Sequence, residues 1–248
     1  MNCPSFAYIS YKREIVENGL KRKLMLVLAF VAVLGVIAIS QKLSEYVAST
    51  QMKSEEIFVV VDAGHGAEDP GKIGINNVLE KEINLQIAKK VQYYLKKEGL
   101  GVIMTREDDQ GLYDNTVSNK KAADMKKRVN LINEAKPVLV VSIHQNSYTD
   151  EAVKGAQVFY YTHSKEGEAL ALLMQEALRA FDSTNTRQAK ANDTYYMLKK
   201  TEVPTIIVEC GFLSNAQEAE KLTEDTYQEE VAKAICSGVI KWLDKSAE

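Results

Sequence analysis

Two apolar, β-branched runs in this chain each end in a histidine: VVVDAGHG at residues 59–66 and VLVVSIHQNS at residues 138–147. The chain has three histidines, and two of them stand where a buried strand should stop. In open α/β sheets, ligands and catalytic groups collect at the carboxyl ends of strands. Two imidazoles at that edge fit a metal site, and they fit equally well as hydrogen-bonded turn residues.

The rest of the pattern supports the sheet. Apolar runs at 57–61, 101–105, 138–143, 156–161 and 204–210 read as strands, and residues 194–198 as a further short one. Between them lie amphipathic stretches. Ile83, Ile87, Val91 and Leu95 mark one helix face after Glu80, which Gly99 stops. Ser118 is the expected N-cap of a helix running to Ala135, and residues 165–181, 216–222 and 227–243 complete the helices. Strands alternating with long helices predict an α/β fold, with a mostly parallel sheet and helices on both faces.

This domain is expected over residues 55–248. Ahead of it, Lys21, Arg22 and Lys23 precede an unbroken apolar run at 24–39, and a polar stretch follows to residue 54. A basic flank before an apolar core is an export signal, cleaved or retained as an anchor. Either way the body is placed outside the cytoplasm, with a membrane link only through this segment. Lysine plus arginine (31) nearly balance aspartate plus glutamate (34), so there is no basic field of the kind nucleic acid requires. Cys3 precedes the apolar run; Cys210 and Cys236 are expected as free, buried thiols.

Polar residues that interrupt or follow the buried runs are the candidates for chemistry. They are Asp62 and His65 after the first strand, Glu80 at the first helix start, His144 and Asn146 after the third strand, and Glu209 inside PTIIVEC. A carboxylate in such a run is costly to bury without a partner, so Glu209 is either paired or poised for reaction. Two histidines and a carboxylate are a usual ligand set for catalytic zinc. His65, Glu80 and His144 can supply it, leaving Glu209 as general base. Spacing alone does not decide this, since there is no HExxH helix.

The segments VVVDAGHGAEDPGKIGINNVLEKEINLQIAKKV, TREDD, VSIHQNS and VPTIIVECGFLSN resemble, in order, the motifs of the zinc-dependent N-acetylmuramoyl-L-alanine amidases. The resemblance spans residues 57–243. It implies a six-stranded mixed α/β/α sandwich, Zn²⁺ held by His65, Glu80 and His144, and Glu209 as catalytic acid/base. The implied reaction is hydrolysis of the amide between the muramic acid lactyl group and L-Ala of peptidoglycan. Ala67 stands where the family often has glycine. The compact exported architecture is similar to the germination-specific amidases of endospore formers, which implies a role in cortex muramic-δ-lactam formation. The absence of a wall-binding module points to a partner protein.

Other residues carry plainer expectations. Asp62 serves either to orient a ligand or to stabilise a turn. Arg106, Asp109 and Arg128 are read as structural ion pairs, Asn146 as a groove or loop amide, and His163 as a rim residue. Tyr195 and Tyr196 are expected as half-buried strand aromatics. Two alternatives stand beside the amidase: a zinc peptidase acting on wall peptides, and a non-catalytic wall-binding protein on the same fold.

Overall fold

The computed structural model describes residues 57–114 and 116–246, with Met25, Ser40 and Lys42 as isolated positions. The expected leader or anchor and linker at residues 1–54 otherwise lie outside the described residues. Among the described residues, no helix is long and apolar enough to cross a membrane.

The strands are β1 (Phe58–Ala63), β2 (Gly101–Met104), β3 (Val140–Asn146), β4 (Gln157–Tyr161), β5 (Lys190–Asn192) and β6 (Thr205–Phe212). The helices are α1 (Glu80–Lys97), α2 (Lys120–Ala135), α3 (Lys165–Phe181), α4 (Tyr196–Lys200), α5 (Ala216–Lys221) and α6 (Asp225–Ser246). The sheet order is β2-β1-β3-β6-β4-β5. Every neighbouring pair is parallel except β4 and β6. This is the mixed, mostly parallel six-stranded sheet the sequence predicts.

Strand side chains alternate between faces, and here the two faces are covered unequally. Val59, Val61 and Ala63 of β1, Val141 and Ile143 of β3, and Ile206, Val208 and Cys210 of β6 pack into one large core. The same core takes in Ile83, Ile87, Val91 and Leu95 of α1, Leu170 and Met174 of α3, and Val231, Ile235 and Val239 of α6. The opposite face is thinner. There Val60 and Val140 meet Ile132 of α2 and Met197 of α4, and Ile207 meets Phe159 and Leu198.

Two local expectations are corrected. Residues 194–198 are not a strand: β5 is the polar triplet 190–192, and Tyr196 begins a five-residue helix. Asn192 Oδ1 accepts the backbone N–H groups of Thr194 and Tyr195, an Asx turn that ends strand geometry. The N-cap of α2 is Asn119 rather than Ser118, and its side chain accepts from Ala122 N at 3.0 Å. Cys210 and Cys236 are free and buried, as expected.

Candidate metal centre

β1, β3 and β6 run in one direction, so their carboxyl ends share one edge. His144 of β3 lies in register beside Glu209 of β6, and Asp62 of β1 lies beside Ser142. By strand alternation all four side chains point to the thinner face. His65 follows β1 in a tight loop with left-handed φ at His65 (61°) and Ala67 (50°). Ala67 therefore adopts the conformation for which the family's glycine is suited. Glu80 is the first residue of α1, as expected.

These elements bring His65, Glu80 and His144 together, with one donor atom from each inside a 4.8 Å span. Glu80 sits between the two histidines: His65 Nε2 is 3.2 Å from Oε2, and His144 Nδ1 is 2.9 Å from Oε1. The imidazole rings meet edge to face with centroids 4.9 Å apart. Two nitrogens and a carboxylate on one concave edge are a donor set that fits a divalent ion with one position left for substrate or water.

Glu80 is aimed by its surroundings. Oε2 accepts from Lys72 N (2.8 Å), and Oε1 from Gln145 N (3.1 Å) and Asn84 Nδ2 (3.2 Å). Burial raises the Glu80 pKa, but hydrogen bonds and charge from His144 and His65 outweigh it and hold the carboxyl well below its usual range. Glu209 behaves oppositely. It is buried, and its Oε2 has no hydrogen-bond partner. Desolvation, reinforced by the Glu80 charge, pushes its pKa up to about 7 against the pull of the two histidines.

The loop bearing His65 is clamped from behind by two arginines. Arg128 Nη1 donates to Asp62 Oδ1 (2.8 Å) and Ala63 O (2.6 Å), Nη2 to His65 O (2.7 Å), and Nε to Asp124 Oδ2 (2.6 Å). Arg106 donates to the carbonyls of Ala63, Gly64, Lys81 and Asp108. Arg128 thus makes the expected ion pair; Arg106 instead ties backbone, and Asp109 pairs with Lys81 (2.6 Å).

Asp62 makes no Asx turn and reaches His65 only through Arg128; it also accepts from Thr105 Oγ1 and Ser142 Oγ, both at 2.6 Å. Burial alone would raise its pKa, but Arg128 and these hydroxyls bring it down to about 2. Relative to the usual 3.8, the ionised form contributes about 2 kcal/mol. That contribution is complete above about pH 4 and is lost as pH falls toward 2. Asp62→Asn leaves the buried Arg128 with Asp124 as its remaining carboxylate partner and should cost on the order of 2–3 kcal/mol at neutral pH. Urea unfolding from pH 2 to 7 checks both, because the variant should lose the acid-dependent step along with stability. An unchanged midpoint at pH 7 would remove this role.

Gly64 contributes by lacking a side chain. A Cβ there would fall inside the His144 ring, contacting Cε1, Nε2 and Cδ2. Gly64→Ala should therefore cost about 1–3 kcal/mol by overpacking and push His144 out of line. Thermal melts with zinc titration test this, and wild-type zinc binding by the variant would contradict it.

A groove of about 550 Å³ runs over the site, walled by Lys121 and Met125 of α2 and by Tyr195, Tyr196 and Met197 around α4. Tyr195 and Tyr196 are thus groove residues at a helix start, not strand aromatics. Asn146 also lines the groove, whereas His163 packs edge-on against Tyr161. Sequence pattern alone assigns no role to Asp69, Asn84 or Gly64. Asn84, one turn after Glu80 on the same helix face, was detectable by its spacing.

Comparison with known proteins bears on this arrangement. A family model described as N-acetylmuramoyl-L-alanine amidase matches residues 59–241. The chain is 37% identical over 194 residues to the germination-specific N-acetylmuramoyl-L-alanine amidase of Bacillus subtilis (strain 168), covering 77% of this chain and 81% of that one. Its structure is similar to that of the CwlD amidase from Clostridioides difficile, solved in complex with the GerS lipoprotein. The TM-score is 0.74 at 38% identity, over 76% of this chain and 99% of that one. The catalytic domain of CwlV, an amidase from Bacillus (Paenibacillus) polymyxa var. colistinus, gives 0.67 at 32% identity, over 76% and 98%.

Proposed function

The chain belongs to the N-acetylmuramoyl-L-alanine amidase family, and from that premise we propose that His65, Glu80 and His144 hold a zinc ion beside Glu209 as acid/base. The substrate is peptidoglycan, cut at the amide between the lactyl group of N-acetylmuramic acid and L-Ala. The observation that carries the site assignment is a single juxtaposition: three donor atoms within 4.8 Å, next to a buried, unpartnered carboxylate in register with one of them.

Zinc in this site would polarise the amide carbonyl and ease ionisation of water. The protein supplies the proton transfers. Glu209, with its raised proton affinity, accepts the proton of the attacking water and passes it to the departing L-Ala nitrogen. That delivery is needed because an unprotonated amide nitrogen is a poor leaving group. The hydrogen bonds from Lys72, Gln145 and Asn84 keep Glu80 as a ligand and leave Glu209 free for chemistry.

The reading extends to biology. Likeness to the germination-specific relative supports action in spore cortex, in muramic-δ-lactam formation, outside the cytoplasm. Residues 55–248 form the catalytic domain, and 1–54 the leader or anchor with its linker. The GerS-bound neighbour supports an accessory protein; full activity of the purified chain alone would count against one. The deciding experiment is digestion of purified peptidoglycan with identification of the new ends. Free L-Ala amino groups support the amidase. Shortened stem peptides would make it a peptidase, and glycan binding without new ends a non-catalytic wall protein.

A further inference from the structure

We propose that Asp69 is a positioning residue for the metal centre: it fixes the tautomer and ring orientation of His65 so that Nε2 is the free donor. The inference rests on the His65–Glu80–His144 site described above. A histidine ring offers two nitrogens, and turning it over about Cβ–Cγ puts carbons, Cδ2 and Cε1, where the nitrogens stood. The backbone of His65 is already fixed, because Arg128 holds its carbonyl and its φ is 61°. What remains free is the ring. His65 Nδ1 lies 2.8 Å from Asp69 Oδ2. An ionised carboxylate only accepts, so Nδ1 carries the hydrogen. Nε2 then faces Glu80 with its lone pair available to an ion.

Asp69 is itself placed with care. Gly66 and Asp69 exchange two backbone hydrogen bonds, both 3.0 Å, which close the loop so that residue 69 returns beside residue 65. Its Oδ1 accepts from Gly71 N at 3.2 Å. Lys121 of α2 stands 3.0 Å from Oδ2. Carboxylates behind ligating histidines both orient the ring and raise its basicity, and their loss typically weakens metal binding about 10–100-fold. Lys121 is largely exposed (65%), so its screened charge contributes little to this.

The test uses the full-length chain and zinc, with affinity measured by competition against a chromophoric chelator. Asp69→Asn should weaken zinc binding about 10–100-fold while the metal-free melting temperature stays near that of wild type. Lys121→Met should bind within about threefold of wild type, as expected for an exposed charge. In zinc-loaded wild-type protein, ¹⁵N NMR should show His65 protonated at Nδ1 and metal-bound at Nε2, whether or not the variants fold. Coordination through Nδ1, or wild-type affinity in a folded Asp69→Asn, would overturn the proposal. Failure of wild-type protein to bind zinc at all would instead overturn the metal-site reading on which it rests.

Discussion

Glu209→Gln should lower turnover by about 10²–10⁴-fold, the usual contribution of general acid–base catalysis, while zinc remains bound. Glutamine keeps the shape but cannot take a proton from water or return it to nitrogen. The same variant should be more stable than wild type above pH 7. Glu209 titrates near 7 in the fold against the usual 4.5. The native state therefore holds a proton that the unfolded chain has lost, and stability falls as pH rises through that window. Removing the ionisable group removes the penalty. A bound dication favours the charged form, so the acid limb of kcat/KM in the loaded enzyme should lie below pH 7. Zinc content, muropeptide release and melting temperature together check this. Substantial activity in a zinc-loaded Glu209→Gln would assign the proton transfers elsewhere.

Removing the metal should reduce turnover to background and leave the protein folded. The reason is visible around Glu80. Without an ion, its two oxygens still accept from Lys72 N, Gln145 N and Asn84, and both histidines stay within hydrogen-bond distance. The core lies elsewhere, in the layer formed by α1, α3 and α6. Chelation should abolish muropeptide release with the far-ultraviolet circular dichroism unchanged, and added Zn²⁺ should restore activity. Zinc at a hundred times its dissociation constant should then stabilise the fold by about 2.7 kcal/mol. Full turnover in protein shown to be metal-free would end the zinc mechanism. Collapse of the dichroism would mean that the ion holds the fold.

The strands that matter most were legible because they are buried on both faces. β1, β3 and β6 read as continuous Val/Ile runs, and their shared direction placed His65, His144 and Glu209 at one edge. β5 is not legible in sequence because its three residues, Lys-Ala-Asn, are too few and too polar to give a strand pattern. α4 reads as a strand in sequence because Thr194, Tyr195 and Tyr196 favour strands by composition, and five residues are too few for helical periodicity to show. The candidate ligand set rests on the ordered motifs rather than on spacing. Local pattern could not say which turns would meet, since His65 and Glu80 are joined only once the loop at 66–79 has closed. The roles of Asp69 and Gly64, and the partners of the two arginines, are hidden for the same reason: each acts through a contact that only the fold supplies.

The alternation along β6 has a consequence for how this enzyme can vary. Glu209 points to the thinner face and Cys210 into the large core, so two functions are interleaved on adjacent residues. Deleting one residue between Thr205 and Val208 would act on the sheet as a frameshift acts on a reading frame. With pairing otherwise held, a thiol would be presented to the groove and a carboxylate to the hydrocarbon interior. Insertions and deletions there should therefore be far less tolerated than apolar exchanges at the same positions. A deep indel scan read by activity and solubility would reveal that asymmetry.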